Sequence, residues 1–206
     1  MQALRAQMNP HFIFNSLNSI NMFILENNKL QASEYLSKFS RLVRLILQNS
    51  QEAFIPLERE LEALQLYLEL ESLRFQNKFE YTISVADKVD TTVLKVPPLI
   101  IQPYAENAIW HGLMHKKEKG HLQIDLYQNE KFLFCKISDD GVGRKEAAEL
   151  KSRSGAKHKS MGIQITENRI KMTQLNNPSA IEINDLLYSD GSVAGTEVLL
   201  KIAVLE

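Results

Sequence analysis

Cysteine is almost missing from this chain: Cys135 is the one such residue among 206, so no internal disulfide can form. Its setting, Phe132-Leu133-Phe134-Cys135, reads as a strand interior, where a lone thiol packs as a small core residue in a reducing compartment. An excess of either charge is missing too. Lys and Arg number 24 against 25 Asp and Glu, a formal net charge of -1, which leaves no cationic surplus for neutralising phosphates and disfavours nucleic acid as a partner. No run approaches the roughly 18 apolar residues of a membrane span, and no signal-peptide pattern opens the chain, so this piece is expected to be soluble. Glycine does not occur in residues 1–75, which favours uninterrupted helix there. Repeats and low-complexity tracts are also lacking.

What is present is a hydrophobic fraction of 44%, enough for one full core or for a modest core beside a smaller helical element. Ile13, Leu17, Ile20 and Ile24 recur at helical spacing, as do Leu36, Phe39, Val43 and Ile46, with Asn27-Asn28 as the turn between them. This predicts a helical hairpin. Two helices cannot cover both rows, so a second copy completing a four-helix bundle through residues 1–50 is expected. The helical pattern starts with almost no lead-in at Leu4, Met8 and His11, which points to a larger protein continuing upstream.

Pro56 opens a third helix carrying Leu57, Leu61, Leu64 and Leu68, with Glu58, Glu60 and Glu62 near its positive end and a second row of Leu66, Leu70 and Leu73. At Phe79, Tyr81, Ile83 and Val85 the period changes to two, as in a strand with one buried face. A boundary follows, with residues 1–52 as the hairpin and 53–206 as a second domain. Beyond it the pattern predicts a helix after Pro97-Pro98, a strand pair at 121–138, a basic loop over 144–159, a helix near 161–175 and strands near 180–185 and 195–204. The fold class is α+β, a sandwich rather than a doubly wound parallel sheet.

Several short stretches carry chemistry. In Gln7-Met8-Asn9-Pro10-His11-Phe12, helical geometry puts His11 on one face with Asn15 and Asn18, nearly opposite Ile13, Ile20 and Ile24, so the imidazole points outward. Pro10 either starts the helix with Asn9 as cap or kinks it beside the histidine. An exposed neutral imidazole is a nucleophile near neutral pH without further activation. In Glu106-Asn107-Ala108-Ile109-Trp110-His111-Gly112, Asn107 and His111 are four apart and face one ligand; an amide oxygen suits Mg²⁺, while Gly112 reads as a helix cap. Asp139-Asp140-Gly141-Val142-Gly143 follows a strand, so that a carboxylate can accept from an exocyclic amine where glycines admit a ring or phosphate; the same pattern is also an ordinary turn. Ser160-Met161-Gly162 opens a helix with free N–H groups for phosphate, and the basic residues before it suit a phosphate-closing lid. Gly195-Thr196 enters the last strand.

The order of these stretches resembles the LytS/YehU-type sensor histidine kinases, whose acceptor segment Gln-x-Asn-Pro-His-Phe-x-Phe-Asn-x-Leu-Asn-x-Ile is matched through Ile20, followed by a nucleotide half similar to the GHKL ATPases. The resemblance implies an α/β-sandwich that binds ATP and Mg²⁺. It makes His11 the phosphoacceptor with Asn15 beside it, Asn107 the Mg²⁺ ligand, and His111 a nucleotide neighbour. Asp139 becomes the adenine reader, with Gly141 and Gly143 as the first glycine box, Ser160 and Gly162 around the second, and Thr196 as a supporting hydroxyl. Glu106 is the carboxylate available as general base. It further implies relay of the phosphoryl group to a response-regulator aspartate, and a cytoplasmic piece of a protein attached to the inner membrane by a segment outside this chain. The alternative is a non-catalytic nucleotide-binding dimerisation module of the same fold, which gives no reason for an outward His11 in that context.

Overall fold

Two asparagines and a proline frame the first helices. In a computed structural model, which describes residues 10–153 and 181–203, helix α1 spans Pro10–Leu25 and α2 spans Lys29–Asn49. Asn27 turns the chain at φ 57°, a left-handed conformation that asparagine tolerates. Asn28 then caps α2, its Oδ1 accepting from the Gln31 N–H at 3.2 Å. The hairpin is as expected, but its buried face is turned by about one residue. Phe12, Ser16, Ser19 and Phe23 of α1 meet Ala32, Tyr35, Leu42 and Ile46 of α2, while Leu17, Ile24 and Leu36 lie exposed. The small Ser16 and Ser19 admit the ring of Tyr35, whose hydroxyl donates to Ser16 Oγ at 3.4 Å. Phe12 packs between Phe39 and Tyr67, with ring centroids 6.1 and 5.3 Å away. The third helix therefore selects which face of the hairpin is covered.

That helix, α3 (Leu57–Arg74), buries Leu57, Ala63, Leu64, Leu66, Tyr67, Leu68 and Leu70, as its two leucine rows require. It is flanked by a two-stranded antiparallel ladder of β1 (Ile55–Pro56) and β3 (Lys95–Val96). Glu60 is not merely a dipole partner in the first turn. Its carboxylate, 1% exposed, accepts the backbone N–H groups of Leu99 at 2.7 Å, Ile100 at 2.8 Å and Ile101 at 3.1 Å. Leu99 sits at φ 57°, and the chain then enters helix α4 (Gln102–Asn107).

The main sheet has strand order β2-β4-β5-β7-β6, from β2 (Phe79–Val85), β4 (Gly120–Gln128), β5 (Phe132–Asp139), β6 (Ile181–Leu187) and β7 (Val193–Ala203). β2 and β4 run parallel and the other neighbours antiparallel. Leu122, Ile124, Leu126, Leu133, Cys135, Ile137, Leu200 and Ile202 form the buried face against the helices. Cys135 is fully buried and free, and burial pushes its thiol well above the usual range. One expectation is corrected: the basic stretch after residue 143 starts as helix α5 (Gly143–Arg153), because Glu146-Ala147-Ala148-Glu149-Leu150 is a run of strong helix formers. The helix expected near 161–175 lies outside the described residues. No helix among the described residues is long and apolar enough to cross a membrane.

Glu60→Ala leaves three buried N–H groups without their acceptor and should cost at least about 3 kcal/mol in urea unfolding, whereas Glu60→Gln, which keeps an acceptor oxygen, should cost less. Equal losses for the two would contradict the role assigned to the carboxylate.

Candidate functional site

The end of β5, the start of α5, strand β7 and the helical segment after Gln102 enclose an open cavity of about 240 Å³. Its polar lining includes Asn107, His111, Asp139, Arg144 and Thr196, with Gly112 and Gly143 beside them; Ile137, Ile183 and Val198 contribute apolar wall. Helix α4 passes without a break into a π turn at Ala108–Gly112 and a 3₁₀ turn at Leu113–His115. Such widened turns are concentrated at functional sites. Asn107 and His111 both reach the cavity from this segment.

Asp139 is the most constrained polar group. It ends β5 opposite Thr196 of β7, is 6% exposed, and its Oδ1 accepts the Gly141 N–H at 2.9 Å. Burial raises its pKa to about 7; the nearby Asp140 adds to the rise, and backbone N–H groups of Gly141 and Thr196 oppose it. Backbone closes around this carboxylate at a distance only glycine allows. A Cβ on Gly112 would stand 2.6 Å from Asp139 Oδ1, and one on Gly195, at φ 147°, would stand 1.8 Å from the Asp139 carbonyl oxygen. Gly141 belongs to the same knot, since its Cβ would fall 2.4 Å from the Gly112 carbonyl carbon.

Gly143 begins α5 at φ 77° and Arg144 follows, held by Asp185 of β6 through Nε at 2.8 Å and Nη2 at 3.0 Å. Ser160 and Gly162, expected at a phosphate-facing helix start, lie outside the described residues.

His11 and Glu106 are placed elsewhere. Neither is among the residues lining the cavity. His11 is exposed on α1, with Asn15 Nδ2 at 3.0 Å from Nδ1 and 3.2 Å from Nε2, and its ring lies 5.2 Å from that of Trp110. The charge of Glu106 acts on Tyr67 and Glu71 of α3.

This side of the molecule holds residues that the sequence reading did not single out. Glu71 is fully buried; Trp110 Nε1 donates to its Oε2 at 3.1 Å and Arg74 Nη1 to its Oε1 at 3.2 Å. Burial raises the Glu71 carboxyl to about 7, against the pull of Arg74. The signal available was a charged pair three apart inside the apolar row of Leu66, Leu70 and Leu73, together with the single tryptophan of the chain.

Comparison with known proteins agrees with this architecture. Residues 1–79 match the family model described as Histidine kinase. The chain is 34% identical over 146 residues to Sensor protein LytS of Bacillus cereus, covering 71% of this chain and 24% of that protein. It is 33% identical over 150 residues to Sensor protein LytS of Enterococcus faecalis, covering 73% and 25%. The chain thus spans about a quarter of the length of the curated relatives it matches. Among solved structures, the catalytic domain of histidine kinase ThkA shares the fold with a TM-score of 0.50 at 12% identity, over 73% of this chain and 95% of that one.

Asp139 also sets a pH dependence of stability. Its folded pKa, about 7, lies above that of an unfolded aspartate, about 3.9. The folded state therefore binds the extra proton, and stability falls as pH rises from about 4 to about 7. Asp139→Asn removes the buried charge, so it should melt higher than wild type at pH 8 and lose that advantage by pH 4 in thermal scans. A constant difference across that range would contradict the burial argument.

Proposed function

Because this chain belongs to the LytS-type sensor histidine kinases, we propose that it is the catalytic core of such a protein, using ATP to phosphorylate its own His11 and passing the phosphoryl group to an aspartate of a response-regulator receiver domain. One observation carries this reading. Asn107, His111, Asp139, Gly143 and Thr196 converge on one cavity, and the helical segment that supplies the first two also touches the ring of His11 through Trp110.

The residues present fit the ligand. Ile137, Ile183 and Val198 offer apolar wall for a planar base, and Asp139 is an acceptor for its exocyclic amine at the floor of the cavity. Among the described residues no three acidic, His or Cys side chains cluster to hold a metal. A Mg²⁺ held by the Asn107 amide oxygen, with phosphate and water completing its shell, agrees with that donor set. Bound Mg-ATP supplies the phosphoryl group and the metal charge that offsets its transfer. The chain supplies position: Asp139 and Thr196 orient the base, Arg144 and His111 stand beside the site, and Asn15 holds the His11 ring. Transfer requires movement of the hairpin relative to the nucleotide half, with the division between them near residue 52.

The exposed apolar residues Phe14, Leu17, Ile24, Leu25, Leu30 and Leu36 of the hairpin support homodimerisation through residues 1–50. The upstream part of the protein carries the sensor and attaches it to the inner membrane, leaving this region in the cytoplasm.

Incubation with γ-labelled ATP and Mg²⁺ should give acid-labile, base-stable label. His11→Ala should abolish it with ATP affinity unchanged in calorimetry, while Asn107→Ala or Asp139→Ala should weaken ATP binding by at least about tenfold. Label persisting on the His11→Ala protein would remove His11 as acceptor, and wild-type affinity in both other variants would remove the nucleotide site. Sedimentation of a protein extended upstream should show a dimer that charged substitutions at Leu17 and Ile24 dissociate; a wild-type monomer at high concentration would refute the dimer.

A further inference from the structure

We propose that Trp110 is a positioning residue that parks His11 outside the nucleotide cavity, so that phosphoryl transfer begins with His11 leaving this ring. The proposal rests on the reading in which His11 is the acceptor. Trp110 is the only tryptophan in the chain, and three contacts fix its indole. The Nε1–H donates to buried Glu71 at 3.1 Å, the Arg74 guanidinium carbon lies 4.7 Å from the ring centre, and Phe75 meets it edge-on at 5.4 Å. A large ring held in this way is a preformed surface rather than a mobile cover.

The acceptor turn of α1 is seated there through two adjacent residues. Phe12, 7% exposed, is locked among Phe39 and Tyr67. His11 lies on the Trp110 ring, centroids 5.2 Å apart and planes at 59°. Within the π turn, His111 lines the cavity, whereas its neighbour Trp110 does not; the two serve different sides of one segment. Asn15 Nδ2 lies within hydrogen-bond distance of both ring nitrogens of His11 and donates to whichever carries the lone pair. The nucleophilic electron pair is therefore engaged by Asn15 and the ring is held against Trp110, exposed but outside the cavity lining. Because Asn107 and Trp110 belong to the same continuous helical segment, a shift of that segment on nucleotide binding alters the parking surface as well.

The whole chain carries the test. Imidazole contact quenches indole emission, so His11→Gln should raise the emission of Trp110. Trp110→Leu and Trp110→Phe both lose the N–H to Glu71, so their difference isolates the ring. Trp110→Leu should raise kcat for autophosphorylation by about 2- to 10-fold over Trp110→Phe, the range expected for one aromatic contact, with KM for ATP unchanged. Unchanged emission in His11→Gln, equal kcat in the Leu and Phe variants, or a slower Leu variant that still melts cooperatively would each overturn the parking role. Failure of wild-type protein to label at all would instead remove the acceptor reading and the transfer half of this proposal, while the emission experiment decides the contact by itself.

Discussion

The carboxylate of Glu60 is the joint on which the arrangement depends. Three backbone donors from residues 99–101 end on it, and those residues lead directly into the segment that carries Asn107, Trp110 and His111. Helix α3 also receives Phe12, next to His11, against Tyr67 and holds Trp110 through Glu71. One helix thus references both the cavity and the turn that carries His11. A buried carboxylate is tolerated here because backbone N–H groups replace its water shell, and that replacement fixes the 99–101 backbone, including the left-handed Leu99.

Asp139 follows the opposite logic. It has fewer internal donors than Glu60 for a comparable degree of burial, so its charge remains costly in the absence of a ligand. A group held in this way gains when a donor arrives, in keeping with the amine-reading role proposed for it. The glycines at 112, 141 and 195 let three stretches of backbone approach it at distances no side chain permits.

Legibility of the fold in the sequence followed the range of the interactions that decide each feature. Strand β2 is legible because period-two alternation is local, β5 because its apolar run Phe132–Cys135 reads as strand interior, and the stretch 139–143 because glycine marks backbone that other residues avoid. The hairpin was legible as helices but not in its facing. Ile13, Leu17, Ile20 and Ile24 make the more hydrophobic row, yet the covered row contains Ser16 and Ser19, because a tyrosine 19 residues beyond Ser16 needs room for its ring. Contacts of Phe12 with Tyr67 and of Glu71 with Trp110 join residues far apart in the chain, and periodicity carries no trace of them. Helix α5 is hard to see in the sequence because its lysines and arginines resemble a solvated loop and mask the helix-forming alanines and glutamates between them.

The two scarcest reactive side chains have been left in complementary states. Cys135, on the helix-covered face of the sheet, is fully buried with its thiol pKa pushed up, whereas Trp110 stands where the hairpin meets the third helix. A cysteine introduced on the exposed face of the hairpin would therefore be the only thiol of this chain open to alkylation, and an acceptor dye placed there would receive energy from a single native tryptophan in the other half of the chain. The distance between the hairpin and the rest of the chain can thus be followed optically without first stripping it of competing tryptophans or exposed thiols.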